Sequence, residues 1–328
     1  MTGYLARRLA STAVTLAGII AAVFLLIHAA PGDPALLYAG ARPGEAVPEA
    51  ILAEIRHAHG LDRPLGAQFA SWAASAARLD FGESIFHRRS VAELIGEKLP
   101  QTILLNGLAL LLAILIGVPV GVASAVRPGS LFDRASATTL FLLYSLPTFW
   151  TALMLIEIFG VRLQLLPLFG NVSSSHDALG AGARFGDRVA HLVLPVTVLA
   201  YALIAFLARF VRSSLREVLG QEYVRTARAK GAPAASVVWS HAFRNALVPM
   251  VSLLAVIIPW LISGSVIVEQ IFQWNGIGSL FFGAILSRDY PLVMGLTVVT
   301  ALVTVAASFV ADALYALVDP RIRVGGSS

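Results

Sequence analysis

A chain that hydrolyses nucleotide needs a lysine in a glycine-rich phosphate loop, and this chain has two lysines in all, Lys98 and Lys230. Neither follows a glycine and precedes a serine or threonine, so the phosphate-cradling pattern is missing. Work driven by ATP would have to draw on another polypeptide, with ATP and magnesium held there; no cofactor is expected on this chain. G-x-S-x-G and H-E-x-x-H are also absent, so no catalytic residue is assigned. There is no cysteine, which excludes thiolate chemistry, disulfides and Cys-ligated metals. His57 and His59 flank Ala58 in a polar stretch and read as surface rather than as a metal site. His28 reads as interfacial. Three carboxylates, Glu157, Glu269 and Asp312, abut the ends of apolar runs. Ionisable groups at membrane depth face a bundle interior or water. Glu157 reads as interfacial, and Asp312 as a helix cap or an arginine's partner. Glu269 follows Ser263, Gly264 and Ser265, small residues that let helices pack closely or leave a passage. That face is expected to line a pathway near an outer gate.

The elements that must carry these residues follow from composition. Charged residues are 13% of the 328 and apolar residues 57%, with mean hydropathy +0.79. A soluble domain carries about 25% charged residues. The surface must therefore face something apolar, and a lipid bilayer is that solvent. The net charge is +5, but the basic residues sit in gaps between apolar runs, which fits membrane topology better than nucleic acid. Six runs lack Asp, Glu, Lys and Arg: 9–32, 99–126, 135–156, 189–208, 245–268 and 290–311. Each is long enough to cross the hydrocarbon core as a helix. The first is read as a retained helix, because it exceeds a signal-peptide core and His28-Ala29-Ala30-Pro31 is a poor cleavage site. A further uncharged run, 270–287, holds Gln273-Trp274-Asn275-Gly276-Ile277-Gly278 and is read as a turn at the membrane boundary. Pro119, Pro147, Pro195 and Pro259 fall inside the runs and predict kinks. Lys/Arg bias in short loops sets orientation. Thirteen fall on the side of 1–8, the 127–134 loop, 209–244 and the 312–328 tail; four fall in the short loops opposite. Both termini are therefore expected in the cytoplasm and the 33–98 segment, read as a small helical elaboration, outside.

The 209–244 segment is too apolar for a connector. Leu215, Val218, Leu219, Tyr223 and Ala227 recur at helical spacing. Gly231 after Lys230, with Pro233 beyond, marks a helix stop. A second helical pattern with Val237, Val238, His241 and Ala242 runs toward Pro249. The expectation is a helical hairpin with an exposed apolar ridge, lying either on the lipid interface or in a partner's groove.

The stretch Glu222-Tyr223-Val224-Arg225-Thr226-Ala227-Arg228-Ala229-Lys230-Gly231, followed by His241-Ala242-Phe243-Arg244-Asn245-Ala246-Leu247-Val248-Pro249, resembles the coupling loop of ABC-importer permeases of the dipeptide/oligopeptide/nickel group. Arg225 and Thr226 stand where the family-wide form has Glu-Ala, and the closing proline comes later. Pro31-Gly32-Asp33-Pro34, Gly60-Leu61-Asp62-Arg63-Pro64, Ser145-Leu146-Pro147-Thr148-Phe149-Trp150, the 264–278 exit of the fifth run, Arg288-Asp289-Tyr290-Pro291 and Asp319-Pro320-Arg321 resemble that group's motifs in the same order. The resemblance implies an all-α membrane protein with six transmembrane helices in the type I importer permease (MetI-like) fold, in a bacterial inner membrane. It implies that Glu222, Tyr223, Arg225, Thr226, Ala227, Arg228, Lys230, Gly231 and Ala232 couple to an ATPase. It also implies a second homologous permease, two ATPase subunits and an extracytoplasmic binding protein. Di- or oligopeptides are the implied substrate; nickel chelates, glutathione and opines are alternatives within the group, and a secondary transporter is an alternative outside it.

Overall fold

The computed structural model describes residues 2–29, 33–40, 46–246, 257 and 259–318. These are helical, with one isolated antiparallel bridge, Glu83 to Ser90. Four helices are long and apolar enough to cross a membrane: α1 (Thr2–Ala29), α5 (Val91–Val126), α8 (Ala181–Leu219) and α13 (Tyr290–Val318). The first run is thus helical, and α5 and α8 each extend well beyond the apolar runs that announced them.

The third run is one bent pair instead of one straight span. α6 (Leu131–Ser145) stops before Pro147, and α7 (Thr148–Leu155) continues through a π-helical stretch, Ile156–Arg162, at 95° to it. Proline pushes the residue before it out of helical geometry. Leu146 is indeed extended, with φ −76° and ψ 129°. Its freed carbonyl accepts a hydrogen bond from Tyr201 Oη at 2.8 Å. Backbone at membrane depth must be re-paired in this way. Pro195 lies inside unbroken α8, and Pro100 and Pro119 inside α5. Of the expected fifth span, 245–268, residues 247–256 and 258 lie outside the described residues, as do Pro31-Gly32 and 319–328. Residues 259–263 are helical.

The chain forms two compact units. In one, Met1–Leu99 with Leu280–Ala306, the 33–98 segment is a small helical elaboration: α2 (Pro34–Tyr38), α3 (Glu49–Ala58) and α4 (Leu65–Ala76). Asp33 caps α2 through the Ala35 N–H and pairs with Arg56 of α3 at 2.6 Å. Asp289 is buried and accepts from Ser84 Oγ and the Phe86 N–H. His57 pairs with Asp62 at 2.9 Å and His59 stacks on Tyr38. Both histidines thus have structural neighbours, and no cluster of three metal-ligating side chains occurs among the described residues.

The other unit, built mainly of Pro100–Ser279, packs α5 against α8 through glycine. A Cβ on Gly121 would lie 2.6 Å from the Ala208 carbonyl and 2.8 Å from Val211 Cβ, and one on Gly117 would lie 3.1 Å from the Ile204 carbonyl. Two glycines a turn apart let the backbones touch. The core beside that crossing joins Leu105, Ala109, Ala152, Val198, Val268 and Trp274.

Candidate functional site

The hairpin expected in 209–244 is present. The end of α8 runs to Leu219. α9 (Glu222–Ala229) follows, then a turn with Gly231 at φ +79°, then a second arm, α10, over 234–246. That φ favours a residue without Cβ. Tyr223 joins the arms: its hydroxyl accepts from Asn245 Nδ2 at 2.7 Å and donates to the His241 carbonyl.

The exposed apolar ridge is corrected. Leu215 is fully buried, packed in one cluster with Val238, Ala242 and Ala246 of the second arm and Val122 and Ala125 of α5; Val218 and Leu219 lie partly buried against it. Val224 and Val237 are buried as well. The helical spacing was real, but its apolar face packs inward. The outward face carries Glu222, Arg225, Thr226, Arg228, Lys230 and Gly231, all exposed, beside the half-buried Ala227 and Ala232. Tyr223 and Trp239 are the large exposed aromatics. That outward surface is polar and mostly cationic, and does not suit immersion in lipid acyl chains.

Helix α8 is tied to α6 by a bidentate ion pair that the sequence did not announce. Arg212 of α8 donates through Nε to Asp133 Oδ1 at 2.6 Å and through a terminal nitrogen to Oδ2 at 2.9 Å. The Gly129 N–H donates to the same carboxylate. Arg212, and then that backbone donor, hold the Asp133 carboxyl down to about 2. Their separation of 79 residues explains why no pattern pointed to the pair.

The second candidate region is the break in the fifth run. The helix at 259–263 ends, Gly264 adopts φ +74°, α11 (Val266–Ile271) begins, a turn follows, and α12 (Ile277–Leu286) runs for ten residues. The turn expected around 273–278 falls at 272–276, and α12 is too short to span. Trp274 is buried, however, and donates through Nε1 to the Gln101 carbonyl at 3.2 Å. Ser263, Gly264 and Ser265 are half-buried. Glu269 is 0% exposed. Its Oε1 accepts from Thr102 Oγ1 at 3.1 Å and its Oε2 from the Ser279 N–H at 2.9 Å. A side chain enclosed by its own chain does not face a passage, which corrects the expectation for that residue. Glu157 is paired with Arg162 at 2.9 Å; the side chain of Asp312 lies outside the described residues.

Comparison with known proteins follows this geometry. Residues 117–324 match the family model described as binding-protein-dependent transport system inner membrane component, and residues 1–106 match the corresponding N-terminal model. The chain is 40% identical over 324 residues to the oligopeptide transport system permease protein AppB of Bacillus subtilis, covering 98% of this chain and 100% of that one. It is 35% identical to the dipeptide transport system permease protein DppB of Escherichia coli, over 98% and 99% of the two chains. Among solved structures it is similar to a chain of the inward-facing MetNI methionine ABC transporter, with TM-score 0.53 and 18% identity, over 69% of this chain and 96% of that one. That likeness bears on the fold.

Proposed function

The chain belongs to the family of binding-protein-dependent transport system inner membrane components, and from that premise we propose that it forms half of the membrane pathway of an ATP-driven importer of di- or oligopeptides. The relatives named as peptide permeases over their full length support the substrate class. A second permease of similar fold completes the pathway. An extracytoplasmic binding protein delivers the peptide, and two ATPase subunits dock on the hairpins. Both termini and the hairpin lie in the cytoplasm, a reading supported by the Lys/Arg asymmetry. Ser263, Gly264 and Ser265, at the break of the fifth run, line the pathway near its outer gate, and Glu269 supports that segment from behind.

The hairpin carries this reading. Its second arm, the base of α8 and the end of α5 share one core, and Tyr223 bonds α9 to that arm, so force applied to the exposed face at Arg225, Arg228 and Lys230 reaches the pathway helices through packed structure. The ATPase that pushes must be another chain, because this one lacks the phosphate loop. The test is replacement of the turn. Gly231→Pro demands a φ near −65° at a residue that sits at +79°. The expected result is an inserted permease that no longer co-purifies with its ATPase subunits and shows no ATP-dependent peptide uptake. Normal uptake by a complex carrying that substitution, or by one lacking 225–235, would overturn the docking role.

A further inference from the structure

Breaking a helix inside a membrane leaves carbonyls without donors at one end and N–H groups without acceptors at the other. The fifth run is broken at Gly264, and one face of α5 meets carbonyls ahead of that break and the first N–H of α12 beyond it. Asn106, fully buried, donates through Nδ2 to the carbonyls of Trp260 at 3.2 Å and Leu261 at 3.1 Å, the last turn of the 259–263 helix. Four residues earlier, Thr102, also fully buried, accepts from the Ile277 N–H at 2.7 Å, at the start of α12, and donates to Glu269. Glu269 in turn takes the Ser279 N–H. Residues four apart stack on one helix face, so α5 presents a donor for the carbonyls ahead of the break and an acceptor for the first amide of α12, while Glu269 ties α11 between them to both. Three glycines make the room. A Cβ on Gly264 would lie 2.6 Å from Glu269 Oε1, one on Gly278 3.0 Å from Oε2, and one on Gly276 would strike Thr102 Oγ1 and Glu269. The arrangement continues outward: Gln101 accepts from Trp274 through its carbonyl, and from Asn171 through its side chain. One acceptor is left over, since Asn106 Oδ1 is buried without a partner among the described residues. Such an atom is costly wherever it persists.

We propose that Thr102 and Asn106 of α5, with Glu269, form a hydrogen-bonded clasp that fixes the broken fifth span, and that this clasp sets how faithfully motion of the span follows the ATPase cycle. These are positioning residues; none is assigned contact with peptide. Neither Thr102 nor Asn106 carries a signal in sequence. The inference rests on the importer reading above. It explains why a carboxylate at the rim of a pathway points into the protein.

The experiment uses the complete importer in proteoliposomes with a dipeptide substrate. Thr102→Val and Asn106→Leu keep side-chain size and remove the polar contacts. Each is expected to lower the maximal uptake rate about tenfold, the effect of about 1.4 kcal/mol. The half-saturating peptide concentration should stay unchanged, and ATP hydrolysis per peptide moved should rise. Thr102→Ser should restore coupling, because it keeps the hydroxyl. A role in packing alone predicts the reverse order, with valine better than serine. If Thr102→Val does not assemble, the serine variant and Glu269→Gln give the same readout: serine near the parent, and glutamine impaired in rate with substrate affinity intact. Uptake rate and ATP stoichiometry equal to the parent in Thr102→Val and Asn106→Leu overturn the clasp. So does a loss of peptide affinity without loss of rate. Failure of the parent complex to import peptide would instead refute the importer reading.

Discussion

Asp133 is 3% exposed and accepts from Arg212 twice, from the Gly129 N–H once, and stands two residues after a helix start capped by Ser130. Removing one partner of such a pair leaves the other's charge unmet, which costs more than deleting both. Asp133→Asn keeps the shape and loses the charge. It is expected to lower the thermal unfolding midpoint of the purified permease by several degrees, while Asp133→Asn combined with Arg212→Met recovers part of the loss. An additive double variant would show that the contact contributes nothing. The carboxyl is depressed in the folded chain, so its contribution is present above the unfolded value of about 3.9 and is lost as pH falls toward about 2. Stability of the parent relative to Asp133→Asn should therefore be flat from pH 5 to 8 and converge below pH 4. Gly121 makes a steric statement of the same kind. Its missing Cβ faces a backbone carbonyl, which cannot swing aside. Gly121→Val should force α5 from α8 and lower the yield of folded protein several-fold, measured by gel filtration in detergent. Gly107 has open space at the Cβ position, and Gly107→Ala should leave the yield unchanged.

Elements were legible where a local pattern made them. The apolar runs gave α1, α5, α8 and α13, and Gly231 with Pro233 gave the hairpin turn. What stayed hidden depends on partners far along the chain. The spacing of Leu215, Val218 and Leu219 identifies a face but not what covers it; Val122 and Ala125 of α5 do so, and only folding brings them near. The third run contained Pro147, a visible kink signal, yet the 95° bend is sustained by Tyr201, some fifty residues on. The same holds at the break of the fifth run, whose partners Thr102 and Asn106 lie in the second run and look like any two polar residues in an apolar stretch. Tyr223 was assigned to the right element by its spacing, while its role in bolting the arms together required Asn245. That bolt predicts a graded effect. Tyr223→Phe should lower ATP-dependent uptake roughly two- to fivefold, in keeping with loss of one ordinary hydrogen bond, to Asn245, and one long one, to the His241 carbonyl, whereas Tyr223→Ala also removes the exposed ring and should lose more. Equal activity of the phenylalanine variant and the parent would show that the arms hold together without the hydroxyl.

At the scale of the whole molecule, the importer reading stands or falls on which side of the membrane the hairpin occupies. The basic residues that set this choice are few, and two of them, Arg321 and Arg323, lie outside the described residues. The chain itself offers a clean test because it has no cysteine. Arg228, exposed at the end of α9, and Ser71, exposed on α4, mark the two regions that should lie on opposite sides. A membrane-impermeant maleimide added to intact cells should label Ser71→Cys and spare Arg228→Cys; with inverted vesicles the pattern should reverse. Neither substitution touches the ion pair at Asp133 or the break at Gly264, so insertion should be preserved, and labelling does not require transport. A hairpin reached from outside would put the lever where no ATP is available, and no arrangement of the spans could then rescue an ATPase-coupled mechanism. Labelling from inside is what the proposed coupling requires: the exposed face of α9 on the side that holds ATP, bonded through Tyr223 to the second arm, which shares a core with α8 and α5.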